Sequence, residues 1–384
     1  MENLNNQIFK IMAVLMCSFS CLILAQSDTN TEKQVRLVFN QLVSVYGSAK
    51  PQPKLEFVKE KLPIQPARYS PSPIPKIEID VALYKICQTF DKDSLNALAV
   101  VLSHELTHYY NDHTFCSDYA FANFKSNAEL QKKIGQASYN GRIEKESEAD
   151  IKGFFFAAAA GFQPHGLQGL LIEKIYFNYK LADIQKGYPS KQERIVIAKN
   201  AENTATQLYE HFKNGLSALE NKQYDVAIEL FTKANSQVPF RENWNNIGVA
   251  YARKALALKV SSKAEIENPA RFLYPLEVEN KSRLLNERTR SLDDTTEEII
   301  ELLNHAQSAF EKALQLDPSF YKSCINLACV YDLQGKHNSA IAEITEKLPE
   351  ETRACNEAKI ILAVAYYNAD MEEKAERIWE ELKM

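Results

Sequence analysis

The sequence predicts a mainly α protein, and three observations carry that prediction. Leu95, Leu98, Ala99, Val101 and Leu102 recur at helical spacing and lead directly into His104-Glu105-Leu106-Thr107-His108. Lys76-Ile77-Glu78-Ile79-Asp80 alternates with period two and reads as a short strand. In the C-terminal half Gly215 and Gly248 stand 33 positions apart, and small and aromatic residues follow Gly215 at the offsets of stacked helical pairs.

Composition bounds what these elements can build. A chain of 384 residues, 45% of them hydrophobic, has room for two or three domains with a substantial core. The net charge of -5, with acidic residues dispersed along the chain, gives no basic field for nucleic acid. Residues 1–25 read as an export signal: Lys10, the apolar run Ile11 to Ala25, then the polar Gln26-Ser27-Asp28. That run is short for a membrane span, and the longest later apolar stretch, Phe154 to Phe162, is shorter still, so no stable transmembrane span is expected and the mature protein belongs in the periplasm or outside the cell. Once Cys17 and Cys21 leave with the signal, Cys87, Cys116, Cys324, Cys329 and Cys355 remain, an odd count without metal-type pairing. Buried thiols are the first reading of them, and a Cys87 to Cys116 bridge is the alternative.

Residues 26 to about 65 carry some helical signal, and Pro63, Pro66, Pro71, Pro73 and Pro75 then mark an extended segment. The strand at 76–80 follows, and its free edge is a place where an extended peptide can be held by main-chain hydrogen bonds. Asp91 or Asp93 is positioned to cap the next helix. On that helix His104 and His108, four residues apart, share one face and can grip a single zinc ion, while Glu105 sits beside the open metal position as a base for the water that attacks a peptide carbonyl. A third ligand must come from another element. In Glu146-Ser147-Glu148-Ala149-Asp150 the residues Glu146 and Asp150 are one turn apart, and Ala149, Gly153 and Ala157 continue with small side chains that let this helix approach the first closely. Glu146 then reaches the metal, and Asp150 accepts the free ring N–H of a ligand His. Glu148 points elsewhere and reads as a surface residue; the competing reading makes Glu144, Glu146 and Glu148 one solvated charged face.

His-Glu-Leu-Thr-His followed by Glu-Ser-Glu-Ala-Asp resembles the HtpX/BepA-like family of zinc metallopeptidases, relatives of the CAAX prenyl proteases. Ala160-Gly161-Phe162-Gln163-Pro164 is similar to that family's turn after the ligand helix, and Pro189 to Ile195 to its H-P-x-x-x-x-R-I segment. The resemblance covers about residues 60 to 200 and implies a gluzincin-type fold, mostly helical with a small sheet at the cleft, so that an α+β protease domain precedes the helical pairs. Where the family has His before Pro189 this chain has Tyr188, read either as a phenol that donates to a developing oxyanion or as an aromatic packed next to proline. Arg194 stands in place of the family's Arg and reads either as a brace for the site or as an ordinary surface Arg. His113 and His165 read as exposed polar residues, and His211, His305 and His337 form no cluster.

Gly215, Ala227, Phe231, Ala234 and Pro239 have the offsets of a tetratricopeptide (TPR) repeat. A second unit opens with Trp244, Ile247, Gly248 and Tyr251 but resumes only at Ala306, Phe310, Ala313 and Pro318, leaving an insertion at about 255–300. Leu327, Ala328, Tyr331, Gly335 and Ala340 begin a third unit, and Leu362, Ala363, Tyr366, Ala375 and Trp379 a fourth. The expectation is a signal at 1–25, a metallopeptidase domain at 26–205 and an all-α TPR solenoid at 206–384 that binds a peptide or a partner protein. His104, His108 and Glu146 hold one Zn2+, Glu105 is the base, and the substrates are proteins; by resemblance to BepA-like proteins they include misassembled envelope proteins, and the partners include outer-membrane assembly components. The competing class is a TPR chaperone or adaptor with a structural or latent zinc site.

Overall fold

A computed structural model describes residues 31–58, 66–71, 73–113, 128–183, 190–259, 269–279 and 296–383. The export-signal stretch, Cys116, Tyr188 and most of the 255–300 insertion lie outside them. The fold is mainly α with one small sheet. Two compact units divide the chain: Met1–Val45 with Gln52–Glu202, and Tyr46–Pro51 with Asn203–Met384.

In the first unit, helix α1 (31–46) buries Val35, Val38, Phe39, Leu42 and Val45, a spacing that puts one apolar stripe inward. Strands β1 (Lys54–Val58), β2 (Ala67–Ser70) and β3 (Lys76–Asp80) form a sheet in the order β1-β3-β2, with β1 parallel and β2 antiparallel to β3. Two expectations change here. The 54–58 segment is strand rather than helix, because Lys-Leu-Glu-Phe-Val alternates and its Leu55 enters the core. The 76–80 strand has no free edge, since it is the central strand; the outer strands are β1 and β2, and β2, the segment between Pro66 and Pro71, is the one that meets Glu105. Central placement explains the burial of Ile77, Glu78, Ile79 and Asp80 together. Glu78 is tolerated there because Arg68 and Lys76 pair with it.

Asp80 ends β3 and starts α2 (Val81–Gln88): its Oδ1 accepts Ala82 N–H at 2.9 Å and its Oδ2 accepts the Tyr179 hydroxyl at 2.8 Å. A single turn at Asp91–Asp93 leads into α3 (Ser94–Tyr110), which carries the His pair. Asp93 does not cap α3 with its side chain; its Oδ1 instead accepts the Asn96 side-chain amide at 3.0 Å. Helix α4 (Ala128–Ala159) crosses α3 where Gly153 meets His104. A Cβ at Gly153 would lie 2.9 Å from His104 N, so only glycine permits the approach, with Ala149 and Ala157 fully buried on either side. Helix α5 (Gln168–Tyr179) and the start of α6 (Lys191–Glu220) complete the unit.

The second unit pairs helices in sequence. The end of α6 packs on α7 (Tyr224–Ala234), with a Cβ at Gly215 lying 2.6 Å from the Phe231 ring. Helix α8 (Arg241–Lys259) packs on α9 (Thr296–Leu316) by the same device, Gly248 against Phe310 at 2.6 Å. Then come α10 (Tyr321–Leu333) with α11 (His337–Ala342) and an irregular turn at Glu343–Lys347, a short α12 (Glu350–Arg353), and the pair α13 (Asn356–Asn368) and α14 (Glu372–Leu382). Residues 46–51 join this unit because Gly47, at φ +87°, lets the chain pass against Leu316 O while Ser48 N–H donates to Asp317 Oδ1 at 3.2 Å. Cys87, Cys324, Cys329 and Cys355 are free thiols. None of the described helices is long and apolar enough to cross a membrane.

Candidate metal centre

Helical spacing in α3 brings His104 Nε2 and His108 Nε2 to 3.0 Å of one another. From α4, Glu146 places Oε2 3.4 Å from His104 Nε2 and Oε1 3.5 Å from His108 Nε2. One donor atom from each of the three residues lies within 4.8 Å of the other two. Their side chains are 13%, 14% and 21% exposed, so the cluster is largely but not wholly buried.

Each imidazole is oriented from behind. His104 Nδ1 donates to Asp150 Oδ1 at 2.8 Å. His108 Nδ1 lies 2.7 Å from His113 Nδ1, and His113 Nε2 lies 3.2 Å from Glu148 Oε2. The chain of donors that satisfies these contacts runs from His108 Nδ1–H to His113 and from His113 Nε2–H to the Glu148 carboxylate. In both ligand rings the neutral tautomer then keeps its proton on Nδ1 and turns a lone pair from Nε2 toward the shared point, which fits a divalent cation.

His113 is not the exposed residue that its sequence position suggests; it is 7% exposed. Helix-face reasoning fails because α3 has ended. Asn111 closes the helix, Asp112 takes φ +54°, Asp112 N–H donates to Tyr109 O, and His113 N–H donates back to His108 O, a Schellman turn that folds the chain over its own last turn. The readable signal is Asn-Asp after the periodic run, two residues that tolerate the left-handed region. Glu148 is half-exposed and also pairs with Lys152, so it keeps a surface character while serving His113.

Arg194 is brought in by α6, whose start is fixed by a capping box: Ser190 N–H donates to Glu193 Oε2 at 2.7 Å, and Glu193 N–H donates to Ser190 Oγ at 3.3 Å. Its Nη1 forms ion pairs with Glu146 Oε2 and Asp150 Oδ2, both at 3.1 Å. It is therefore a buried partner of two acidic groups rather than a surface Arg, and it separates two like charges that stand one helical turn apart. Glu105 accepts Tyr69 N–H from β2 at 2.8 Å. No side-chain motif announces that contact, because the donor is main chain. Tyr188 lies outside the described residues. His165 is exposed beside Glu202, and His211, His305 and His337 belong to the second unit.

Charge follows from this geometry. Burial disfavours a charged His104, yet the Asp150 hydrogen bond and then Glu146 outweigh it and raise the imidazole to about 10. Burial, followed by the charge on His104, pushes His108 down to about 3. Glu146 is held well below the usual carboxylate range: burial opposes ionisation, and Arg194 and His104 overcome it. Burial raises Glu105 above its ordinary value, with the charges on His104 and Arg194 and the Tyr69 N–H opposing the rise.

No family model and no curated protein matches this chain.

Proposed function

We propose that the chain is a zinc-dependent endopeptidase of the gluzincin kind, with His104, His108 and Glu146 as metal ligands and Glu105 as general base. The observation that carries this reading is the convergence of two Nε2 atoms and one carboxylate from separate helices, with all three donor atoms within 4.8 Å. A bound zinc would supply Lewis acidity, polarising the scissile carbonyl and lowering the pKa of the attacking water.

The chain's own residues do the rest. Glu105, raised by burial and held in orientation by Tyr69 N–H, takes a proton from the attacking water and later delivers it to the leaving amine. Asp150 and His113 hold the two imidazoles in register, and Arg194 keeps Glu146 ionised. Strand β2 is a sheet edge whose Tyr69 N–H faces Glu105, so an extended substrate pairing along it would lie beside the base. Given the resemblance to HtpX/BepA-like enzymes, the substrates are exported or envelope proteins that have failed to assemble, met in the periplasm, and the helical pairs of the second unit act as TPR repeats that present a substrate or partner.

The test is zinc content and casein cleavage by the purified chain beside Glu105→Gln. One zinc per chain in both, with cleavage lost by about 100-fold or more in the variant, is the expected result. Equal cleavage by both removes Glu105 from the chemistry. One zinc and no cleavage in either assigns the site to a chaperone or adaptor.

A further inference from the structure

We propose that the shared face of α8, α10 and α13 is a seat for the main chain of an extended peptide, filled in cis by residues 273–279 in place of a partner peptide of the same chemistry. That chemistry is an aromatic, Tyr-Pro, an aliphatic and an acidic residue in series, as in Phe272-Leu273-Tyr274-Pro275-Leu276-Glu277-Val278-Glu279.

Three asparagines make the seat. Asn326 accepts Glu277 N–H through Oδ1 at 2.7 Å and donates Nδ2 to Glu277 O at 2.8 Å. Asn246 does the same for Glu279, accepting its N–H at 2.9 Å and donating to its carbonyl at 3.2 Å. Each side-chain amide thus pairs with one residue as a neighbouring strand would, and the residues read are two apart, the period of an extended chain. Asn245 adds a second donor to Glu277 O at 2.8 Å, and its own Oδ1 is fixed by Ser323 and by Asn326. Asn246 and Asn326 occupy equivalent places, each two residues before the small residue of its helix, Gly248 or Ala328. The seat therefore repeats in two adjacent helical pairs, while Lys213 and Ile361 hold that place before Gly215 and Ala363.

Side chains of the segment supply selectivity at either end. The Tyr274 hydroxyl donates to Asp332 Oδ2 at 2.8 Å, Leu276 is buried with its carbonyl on Arg253 at 3.2 Å, and Glu279 pairs with Lys322 at 3.0 Å. Two facts make the occupant exchangeable. The segment comes from an insertion between α8 and α9, and those helices already meet directly through Gly248 and Phe310, so the pair does not need it. Beneath Glu277 and Glu279 the floor is amide and would be hydrated on uncovering, while the apolar contacts of the segment are confined to Leu276 and to Phe272, whose ring lies 5.5 Å from that of Trp379.

The test uses the full chain and a fluorescent peptide of sequence FLYPLEVE, followed by anisotropy. Wild type binds it weakly; Tyr274→Ala with Leu276→Ala, which weakens the resident segment, binds it at least tenfold tighter, and adding Asn326→Leu abolishes that gain. Equal affinity for wild type and the double variant, both with native circular dichroism, overturns the proposal. Hydrogen exchange on wild type decides independently, also where a variant does not fold: excess peptide must speed exchange at the Glu277 and Glu279 amides and leave the α10 amides unchanged. No acceleration at saturating peptide, or a concentration-dependent dimer showing that a second copy fills the seat, overturns it. No residue of the metal centre takes part, so loss of the peptidase reading leaves this result untouched.

Discussion

On the proposed reading, zinc entering the site displaces one proton, the one on His104. In the metal-free protein His104 is held protonated to about 10, because Asp150 takes its Nδ1–H at 2.8 Å and Glu146 faces Nε2 at 3.4 Å. His108, pushed to about 3, carries no proton to lose near neutrality, and Glu146 is already ionised. Uptake at pH 7.5 should therefore release about one proton per zinc, and apparent affinity should rise about tenfold per pH unit until pH nears 10. At pH 7 the competition amounts to three pKa units, about 4 kcal/mol of the intrinsic binding free energy. Calorimetry in buffers of different ionisation enthalpy measures the release directly. Asp150→Asn keeps the shape of the side chain but removes its charge, so His104 falls toward its ordinary range and the release drops well below one. Linkage adds a second readout. A raised folded-state pKa contributes stability that is full below pH 6.5 and lost as pH rises to about 10, so the metal-free protein should lose melting temperature across that window and the zinc-loaded protein should not. Zero or two protons released by wild type, or release unaffected by Asp150→Asn, would refute this account of the site.

Three further substitutions probe separate parts of the structure. His113→Ala removes the acceptor that orients His108 and should weaken zinc binding 10- to 100-fold in chelator competition while leaving the fold intact; unchanged affinity would show that the ring is oriented by something else. Gly248→Ala places a methyl 2.6 Å from the Phe310 ring and should lose about 1–3 kcal/mol in urea denaturation, whereas Gly141→Ala, with nothing within 4 Å, should lose none. Tyr69→Pro removes the N–H given to Glu105 without breaking the sheet, since that N–H points away from β3; Glu105 should then hold its proton more tightly and the acid limb of kcat/KM should move to higher pH. Tyr69→Ala, which removes only the ring, should leave that limb in place.

Features that depend on local spacing were legible in the sequence. The shared face of His104 and His108 and the single-turn separation of Glu146 and Asp150 follow from 3.6 residues per turn, and the pairing of Gly215 with Phe231 and Gly248 with Phe310 follows from the repeat pattern. What was not legible lies where the period ends or where main chain does the work. His113 arrives through a turn, after helix geometry has stopped predicting directions. Segment 54–58 is only five residues, too short for its alternation to outweigh the helical signal around it. Tyr69 N–H and the Glu277 and Glu279 peptide groups carry no residue signature at all; Asn246 and Asn326 did, as a repeated position, but a polar residue on a helix ordinarily faces water.

Charge around the metal centre explains why these groups occur together. Glu146 and Asp150 stand one turn apart on one helical face; Arg194 pairs with both and His104 pairs with Asp150, which keeps Glu146 ionised and both side chains in place before any ion arrives. A divalent ion that expels the single His104 proton adds one net positive charge to the cluster, beside Glu105. Had Arg194 been absent, Glu146 would lose the charge that most opposes its burial and would hold a proton more tightly in competition with an ion. With asparagine in place of Asp150, His104 would bind the ion without releasing a proton, and the loaded cluster would be one charge more positive beside Glu105. On the proposed peptidase reading Arg194 acts on Glu105 from a distance, its charge opposing the rise that burial imposes on that carboxyl, without touching the reacting atoms.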